Sequence, residues 1–211
     1  MRPIDSSVPL LLRSIAVACM TLLIVLALPA RAADFLINNE ADLRAALNPG
    51  TGAQNGDTIT FNANVTLTAD LPAVQNSVTI IGGSHTLSGN NTYRGLLVYS
   101  GTIAIQDLSI TNAVASGGNG GNGGNGGAGF TPGATAGGGG AGLGGAIFVA
   151  QGANVTVANV SLTGNTAAGG ASGGIGAGSN NPGGGGGMGG NGGDGGVAGN
   201  GGGGGLGVGA N

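Results

Sequence analysis

The sequence has no lysine and no tryptophan, and charged residues make up only 6% of its 211 residues. Beyond residue 32, its only cations are Arg44 and Arg94. Binding to nucleic acid or to anionic lipid requires a basic patch, which two arginines cannot form. We therefore expect no nucleic-acid partner. The acidic residues are scattered, which favours solubility over a charged binding surface.

Cysteine is almost absent as well, because Cys19 is the only one in the chain. It lies in an apolar run at residues 15–29, preceded by Arg2 and Arg13 and followed by Ala30-Arg31-Ala32. This order of charged, apolar and small residues predicts a signal peptide over residues 1–32. An exported chain beginning near residue 33 would then have no disulfide and no cysteine metal site.

Two other interpretations of the N-terminus remain open. The apolar run could anchor the chain in a membrane, although a spanning helix needs about 20 apolar residues. Alternatively, Cys19 could be acylated as in a lipoprotein. Signal cleavage predicts an extracellular or cell-surface protein, associated with the outer membrane and not inserted in a membrane after cleavage.

Residues 33–57 read as an N-terminal cap. Residues 34–37 suit a strand, and Asn39 suits a helix N-cap followed by acidic residues in the first turn. The residues expected on the apolar face of this helix are Leu43, Ala46 and Leu47.

From residue 58 onward, short apolar and β-branched runs are bounded by Gly, Asn and Ser, a pattern typical of strands. The predicted strands are residues 58–61, 65–68, 78–81, 86–88, 96–99, 103–105 and 108–110. Their spacing fits either an antiparallel sandwich or a coil of parallel strands.

An internal repeat favours the parallel coil. Residues 103–111 match residues 155–163 at a fixed offset, and residues 78–90 form a looser copy. Units of this size bury their apolar face by stacking on a neighbour. Asp107 and Asn159 fall between two strands in each copy, where these residue types tolerate a left-handed backbone.

The chain is also very rich in glycine, with 52 glycines concentrated in residues 117–142 and 169–211. Glycine loses much entropy on ordering and has no side chain to bury, so loops or disorder are the simplest expectation. Extended glycine strands hydrogen-bonded side by side are the alternative.

The capping pattern at residues 39–47, followed by 56–61, resembles the N-terminal cap of secreted bacterial right-handed parallel β-helix proteins. Residues 144–148 and 164–167 resemble the paired motifs of polymorphic outer membrane proteins and autotransporter passengers, although Leu162 stands where their second motif has an aromatic residue. The resemblance implies an all-β, right-handed parallel β-helix with a short capping helix and glycine-rich loops. Its coils would span residues 58–168, with a glycine-rich insertion at 117–142 and a glycine-rich tail at 169–211.

The resemblance also implies an exported, non-catalytic module, adhesive or structural, with host or matrix glycans or proteins as partners. A fragment of a longer passenger, a polysaccharide lyase or hydrolase, and a disordered glycine-rich matrix protein are the alternatives. The oligomeric state is left open.

The residues that could carry chemistry are few. Asp57, Asp70 and Asp107 are far apart in the chain, and two of them suit turns. His85 has no second histidine or cysteine to complete a triad or a metal site. Arg94, beside Tyr93, could contact a ligand or stack on the ring. We therefore predict no catalytic residue.

Two further motifs are weak. Residues 189–197 approach a calcium-binding nonapeptide, but the tract has a single Asp, Asp194, and its large apolar residue falls one place late. Asn-x-Ser/Thr occurs at Asn64, Asn90, Asn154 and Asn159, as expected from the composition. We predict no metal and no cofactor.

Overall fold

The computed structural model describes residues 32–124, 135–175, 183–196, 201 and 203–204. The predicted signal peptide lies outside the described residues, apart from Ala32. The described residues from Ala33 onward belong to one compact unit. Nearly all regular structure in the described residues is β-strand, as the sequence predicts.

One helix, α1 (Glu40–Ala46), follows the first strand. Asn39 caps it as predicted, since its side chain accepts a hydrogen bond from the Asp42 N–H at 3.0 Å. The predicted apolar face is confirmed, because Leu43, Ala46 and Leu47 are all buried. The helix thus lays its apolar side against the core.

The described residues contain thirteen short strands, and those that the sequence predicted differ from the predicted runs mainly at their ends. They are β1 (Asp34–Ile37), β2 (Thr58–Phe61), β3 (Val65–Thr66), β4 (Thr79–Ile81), β5 (Thr86–Ser88), β6 (Leu96–Val98), β7 (Thr102–Gln106), β8 (Ser109–Thr111), β9 (Val114–Ser116), β10 (Ile147–Val149), β11 (Asn154–Ala158), β12 (Ser161–Thr163) and β13 (Thr166–Ala168).

These strands form four sheets in which every strand pair is parallel. The first sheet has the order β1-β2-β4-β7-β11, and the second has the order β12-β8-β5-β3. The third sheet pairs β10 with β6, and the fourth pairs β13 with β9. From β2 onward, consecutive strands along the chain belong to different sheets, so each strand pairs with one from another passage of the chain. The antiparallel sandwich is excluded for the described strands.

The internal repeat sets the strand register. Val155 pairs with Ile103, Leu162 with Ile110 and Ala167 with Ala115, so the same offset holds in three sheets. The corner prediction is also confirmed, because Asp107 and Asn159 have φ values of 52° and 53°. The Asn159 amide donates to the Asp107 carboxylate at 2.6 Å, which joins the two corners.

The core consists of apolar columns that run across the sheets. Ile59, Ile80 and Ile105 stack in successive strands and are fully buried. Val157 continues the column in β11 but is 55% exposed. In the second sheet, Leu162 is likewise 54% exposed. Burial therefore declines at the outermost described strands.

The glycine tracts correct the expectation of loops or disorder and agree with the alternative, in which extended glycine segments are hydrogen-bonded side by side. Segments 117–124, 135–142, 169–175, 183–190 and 191–196, called here the glycine bundle, are hydrogen-bonded to one another. Gly118 and Gly121 donate to the carbonyls of Gly187 and Gly184, both at 2.8 Å. Gly120 and Gly123 donate instead to segment 169–175.

This alternation shows a repeat of three residues per turn in segment 117–124, as in an extended polyproline-II helix, which has no internal hydrogen bonds. Each successive N–H therefore points to a different neighbour. Close approach of neighbouring backbone segments explains why two residues of each Gly-Gly-Asn triplet are glycine. A Cβ on Gly118 would lie 1.7 Å from the Gly190 carbonyl oxygen, and one on Gly120 would lie 1.9 Å from that of Gly137.

The asparagines of the triplets supply the third set of contacts. The side-chain oxygens of Asn119 and Asn122 accept hydrogen bonds from the N–H groups of Ala171 and Gly174 at 2.9 and 2.7 Å. Both pairs have the same offset as the strand repeat. The stacking of strands therefore continues into the glycine bundle.

Candidate functional site

The structure places the three carboxylates weighed from the sequence in separate hydrogen-bonded settings. Asp57 is 8% exposed and accepts the N–H groups of Ala33 and Gln54, each at 2.7 Å. The hydrogen bonds from Gln54 and then from Ala33 lower the pKa of Asp57 below its ordinary value of 3.8. This geometry holds the cap in place and gives Asp57 the role of a turn carboxylate.

Glu40 plays a similar part at the start of α1. Burial opposes its ionisation, but hydrogen bonds from Thr68 and Arg44 outweigh that effect and lower the pKa of Glu40. The Thr68 hydroxyl lies 2.6 Å from Glu40 Oε2, and Arg44 Nε lies 2.9 Å from Oε1. The Arg44–Glu40 pair is the only ion pair among the described residues. The guanidinium of Arg94 therefore has no carboxylate partner among them.

Asp107 and His85 both lie at corners between strands. The Asp107 carboxylate accepts a hydrogen bond from the Asn159 side chain. The His85 N–H donates to Gly82 O at 2.8 Å, and the His85 carbonyl accepts from the Ser109 N–H. Both residues thus serve the turn geometry that the sequence indicates for them.

Asp194 also has a structural contact. Its Oδ1 accepts the Asn122 N–H at 2.7 Å within the glycine bundle. Val197, the apolar residue of the near-match to a calcium nonapeptide, lies outside the described residues. Across the part of the chain that the structure describes, no group of three His, Cys, Asp or Glu side chains could hold a metal ion.

Two features combine exposed position with binding chemistry. The first is the outward side of the second sheet, where buried Leu87 and Ile110 alternate with hydroxyl residues. Strand pairing aligns these hydroxyls in two columns. One column consists of Thr86, Ser109 and Ser161, and the other of Thr66, Ser88, Thr111 and Thr163.

We call these seven residues the hydroxyl face. Neighbouring strands place their side chains about 4.8 Å apart, and the two columns are about 6.6 Å apart along the strand. None of the seven is charged. Within the described residues, Ser88 is the only one whose hydroxyl has a hydrogen bond, accepting the Asn90 N–H at 3.3 Å. The other hydroxyls are available to a ligand.

The second feature is a cavity of about 240 Å³ between the strand corners and the glycine bundle. Asp70 and residues 92–94 form one wall, residues 114–116 another, and Met188 with Gly189 a third. The structure therefore brings Asp70 next to Tyr93 and Arg94, whereas the sequence analysis treated Asp70 apart from that pair.

One of the residues that line the cavity, Arg94, has an unsatisfied side-chain donor. The Arg94 backbone N–H donates to Asp70 Oδ1 at 3.2 Å, but the Arg94 Nε is buried and has no hydrogen-bond partner among the described residues. Leaving such a donor unpaired costs about 1–3 kcal/mol. Arg44 also has an unpaired nitrogen, but its Nε is bound to Glu40. Arg94 is therefore the residue best placed to gain from an anionic ligand.

Sequence reasoning missed both features. The Ser/Thr alternation in the paired strands was the available signal for the hydroxyl face. The cavity had no such signal, because one wall belongs to a glycine tract that was expected to be loop or disorder.

No helix among the described residues has the length and apolar character needed to cross a membrane. No family model matches the chain, and no curated protein or solved structure matches it either.

Proposed function

We propose that this chain is an exported, non-catalytic, right-handed parallel β-helix module that acts in adhesion or structure at the cell surface or outside the cell. Parallel pairing in four sheets and the repeat offset shared by three of them support stacked coils. The right hand follows from the strong preference for right-handed connections between parallel strands. The N-terminal signal pattern supports export and an outer-membrane-associated location.

The hydroxyl face is the observation that carries the adhesive function. It is a flat, uncharged array, and its members repeat at the spacing of the strands. Hydroxyl groups both donate and accept hydrogen bonds, so such an array suits a neutral polymer that itself carries many hydroxyls. We infer that the partner is a neutral polysaccharide of a host or matrix surface.

The separate engagement of Asp57, Asp70 and Asp107 supports a non-catalytic role. Glycoside hydrolysis uses two carboxyl groups about 5–10 Å apart across one bond. Asp57 bonds to the cap, Asp107 bonds to Asn159 and Asp70 bonds to the Arg94 backbone. The hydrogen bonds within the glycine bundle argue against a disordered matrix protein.

Adhesion is tested by binding the full chain to insoluble neutral polysaccharides such as cellulose and chitin. Replacing both Thr111 and Thr163 by Val should weaken binding to the recognised polymer by about 2 kcal/mol, or roughly 30-fold, because two hydrogen bonds are lost. The matched control is the double replacement of Thr79 and Thr156 by Val in the first sheet. Equal losses in both variants, or no polysaccharide binding by the wild type, would count against this function.

Export is tested separately by expressing the full chain in a bacterial host and sequencing the N-terminus of the product. We expect a periplasmic or secreted product that starts at Ala33. A cytoplasmic product that starts at Met1 would refute export without bearing on the hydroxyl face.

A further inference from the structure

We propose that the cavity beside Arg94 binds a small hydroxylated carboxylate about the size of one sugar acid. This goes beyond the adhesive function and does not depend on it, because the cavity and the hydroxyl face use different residues. The site is lined by Arg94, Asp70, Thr92 and Ser116, with an apolar wall that includes Met188. The Thr92 hydroxyl donates to the Asn90 carbonyl at 3.2 Å, which leaves its oxygen as an acceptor.

Arg94 is the reason to expect a carboxylate on the ligand. Its guanidinium makes no ion pair within the described residues, whereas Arg44 is held by Glu40. Arg94 lines the cavity, and its Nε is buried without a hydrogen-bond partner among the described residues. Guanidinium binds carboxylate through two parallel hydrogen bonds, which would satisfy this donor. A neutral ligand could accept the same hydrogen bond but would not match the charge.

Asp70 is the reason to expect hydroxyl groups on the ligand. One of its oxygens accepts the Arg94 N–H, and the carboxylate stays on the cavity wall as a fixed negative charge. It would repel a dicarboxylate but can accept hydrogen bonds from ligand hydroxyls. Because Arg94 and Asp70 stand side by side, the cavity selects a ligand with one acidic group and adjacent hydroxyl donors.

The size of the cavity limits the ligand to a single unit. Small-molecule sites usually enclose about 300–1,000 Å³, and this cavity of about 240 Å³ falls just below that range. The wall formed by Val114, Ala115 and Met188 offers apolar contact to one side of a ring. A sugar acid combines a compact carbon ring, one carboxylate and several hydroxyls.

The test uses the full chain with glucuronate as the probe and glucose as the matched ligand without a carboxylate, followed by NMR titration. We expect glucuronate to bind with a dissociation constant on the order of 1 mM, and glucose to bind at least about 10-fold more weakly. The affinity for glucuronate should fall as salt is added, because the contact is ionic.

Arg94→Gln should weaken glucuronate binding by about 10- to 100-fold, and it should weaken glucose binding by no more than about 3-fold, the effect of one neutral hydrogen bond. Arg94→Lys should retain part of the affinity, since it keeps the charge but loses the paired hydrogen bonds. The control is Arg44→Gln, which removes the same charge outside the cavity and should bind like the wild type. Circular dichroism establishes that each variant is folded.

Equal binding of glucuronate and glucose would overturn the proposal, as would full affinity in a folded Arg94→Gln variant. Ser116→Ala provides a second check at an exposed strand residue, with an expected loss of about 3-fold from one neutral hydrogen bond. A disaccharide with a terminal glucuronate distinguishes the sources of the ligand. Tighter binding of the disaccharide indicates the end of a polymer, and tighter binding of the monosaccharide indicates a free acid.

Discussion

Replacing one glycine of the bundle by alanine should have opposite effects at two positions. At Gly121, a Cβ would lie 2.0 Å from the Gly193 carbonyl oxygen, so the segments must move apart. That movement breaks the nearest hydrogen bonds between these two segments, from the Asn122 N–H to Asp194 Oδ1 at 2.7 Å and from the Gly195 N–H to the Asn122 carbonyl at 2.8 Å. Two such bonds are worth about 2 kcal/mol.

The unfolded chain offsets part of this loss, because alanine restricts it more than glycine and thereby stabilises the fold by about 0.4–1 kcal/mol. Gly121→Ala should therefore destabilise the glycine bundle by about 1–2 kcal/mol. At Gly138, a Cβ would meet nothing within 4 Å, so Gly138→Ala should retain only the favourable term. The two variants should differ by about 2 kcal/mol, or roughly 30-fold in the opening equilibrium.

Hydrogen exchange measured by mass spectrometry gives this difference directly. Peptides covering residues 117–124 should lose protection in Gly121→Ala and keep it in Gly138→Ala. Equal protection in the two variants would refute the side-by-side packing of the glycine segments. Rapid exchange of these residues in the wild type would also refute it.

Two further predictions concern the core and the cap. Ile105→Ala should lower the free energy of unfolding by about 2–5 kcal/mol, because Ile105 is fully buried. Val157→Ala in the same column should lower it by less than about 1 kcal/mol, because Val157 is 55% exposed. Equal losses for the two variants in urea denaturation would contradict the stacked core. The lowered pKa values of Asp57 and Glu40 mean that each carboxylate stabilises the fold above its unfolded pKa and loses that effect as pH falls through its folded pKa. The thermal midpoint of unfolding should therefore fall as pH drops from about 5 to below about 3. Asp57→Asn should have a lower midpoint than the wild type at pH 7 and a flatter pH profile. If the pH dependence of the variant equals that of the wild type, Asp57 does not stabilise the fold in this way.

The strands were predictable because their signals are local. Alternating apolar residues marked Thr58–Phe61 and Thr86–Ser88 with the bounds that the structure has. The repeat offset gave the correct pairing of residues 103–111 with 155–163. Strands β9, β10 and β13 were not predicted. In β9 and β13, Ala115 and Ala167 give little apolar contrast, so only pairing between distant passages of the chain defines these two strands.

The glycine bundle was not predictable because its contacts are between segments far apart in the chain and involve only backbone. Glycine composition alone cannot distinguish water from another segment as the hydrogen-bond partner of Gly118. The cavity beside Arg94 depends on Met188 and was hidden for the same reason. By contrast, the corners at Asp107 and Asn159 were predictable, because the tolerance of Asp and Asn for positive φ is a property of the residue type and does not depend on distant contacts.

The three-residue repeat of the glycine bundle limits how such a sequence can change in length during evolution. Inserting three residues into segment 117–124 would keep each Asn in its own row and each packed glycine against its neighbour. Inserting one or two would turn Asn119 or Asn122 towards positions where a Cβ collides with a carbonyl, as at Gly118 and Gly121. Related genes should therefore gain and lose this tract in multiples of nine nucleotides, a stricter rule than the reading frame imposes.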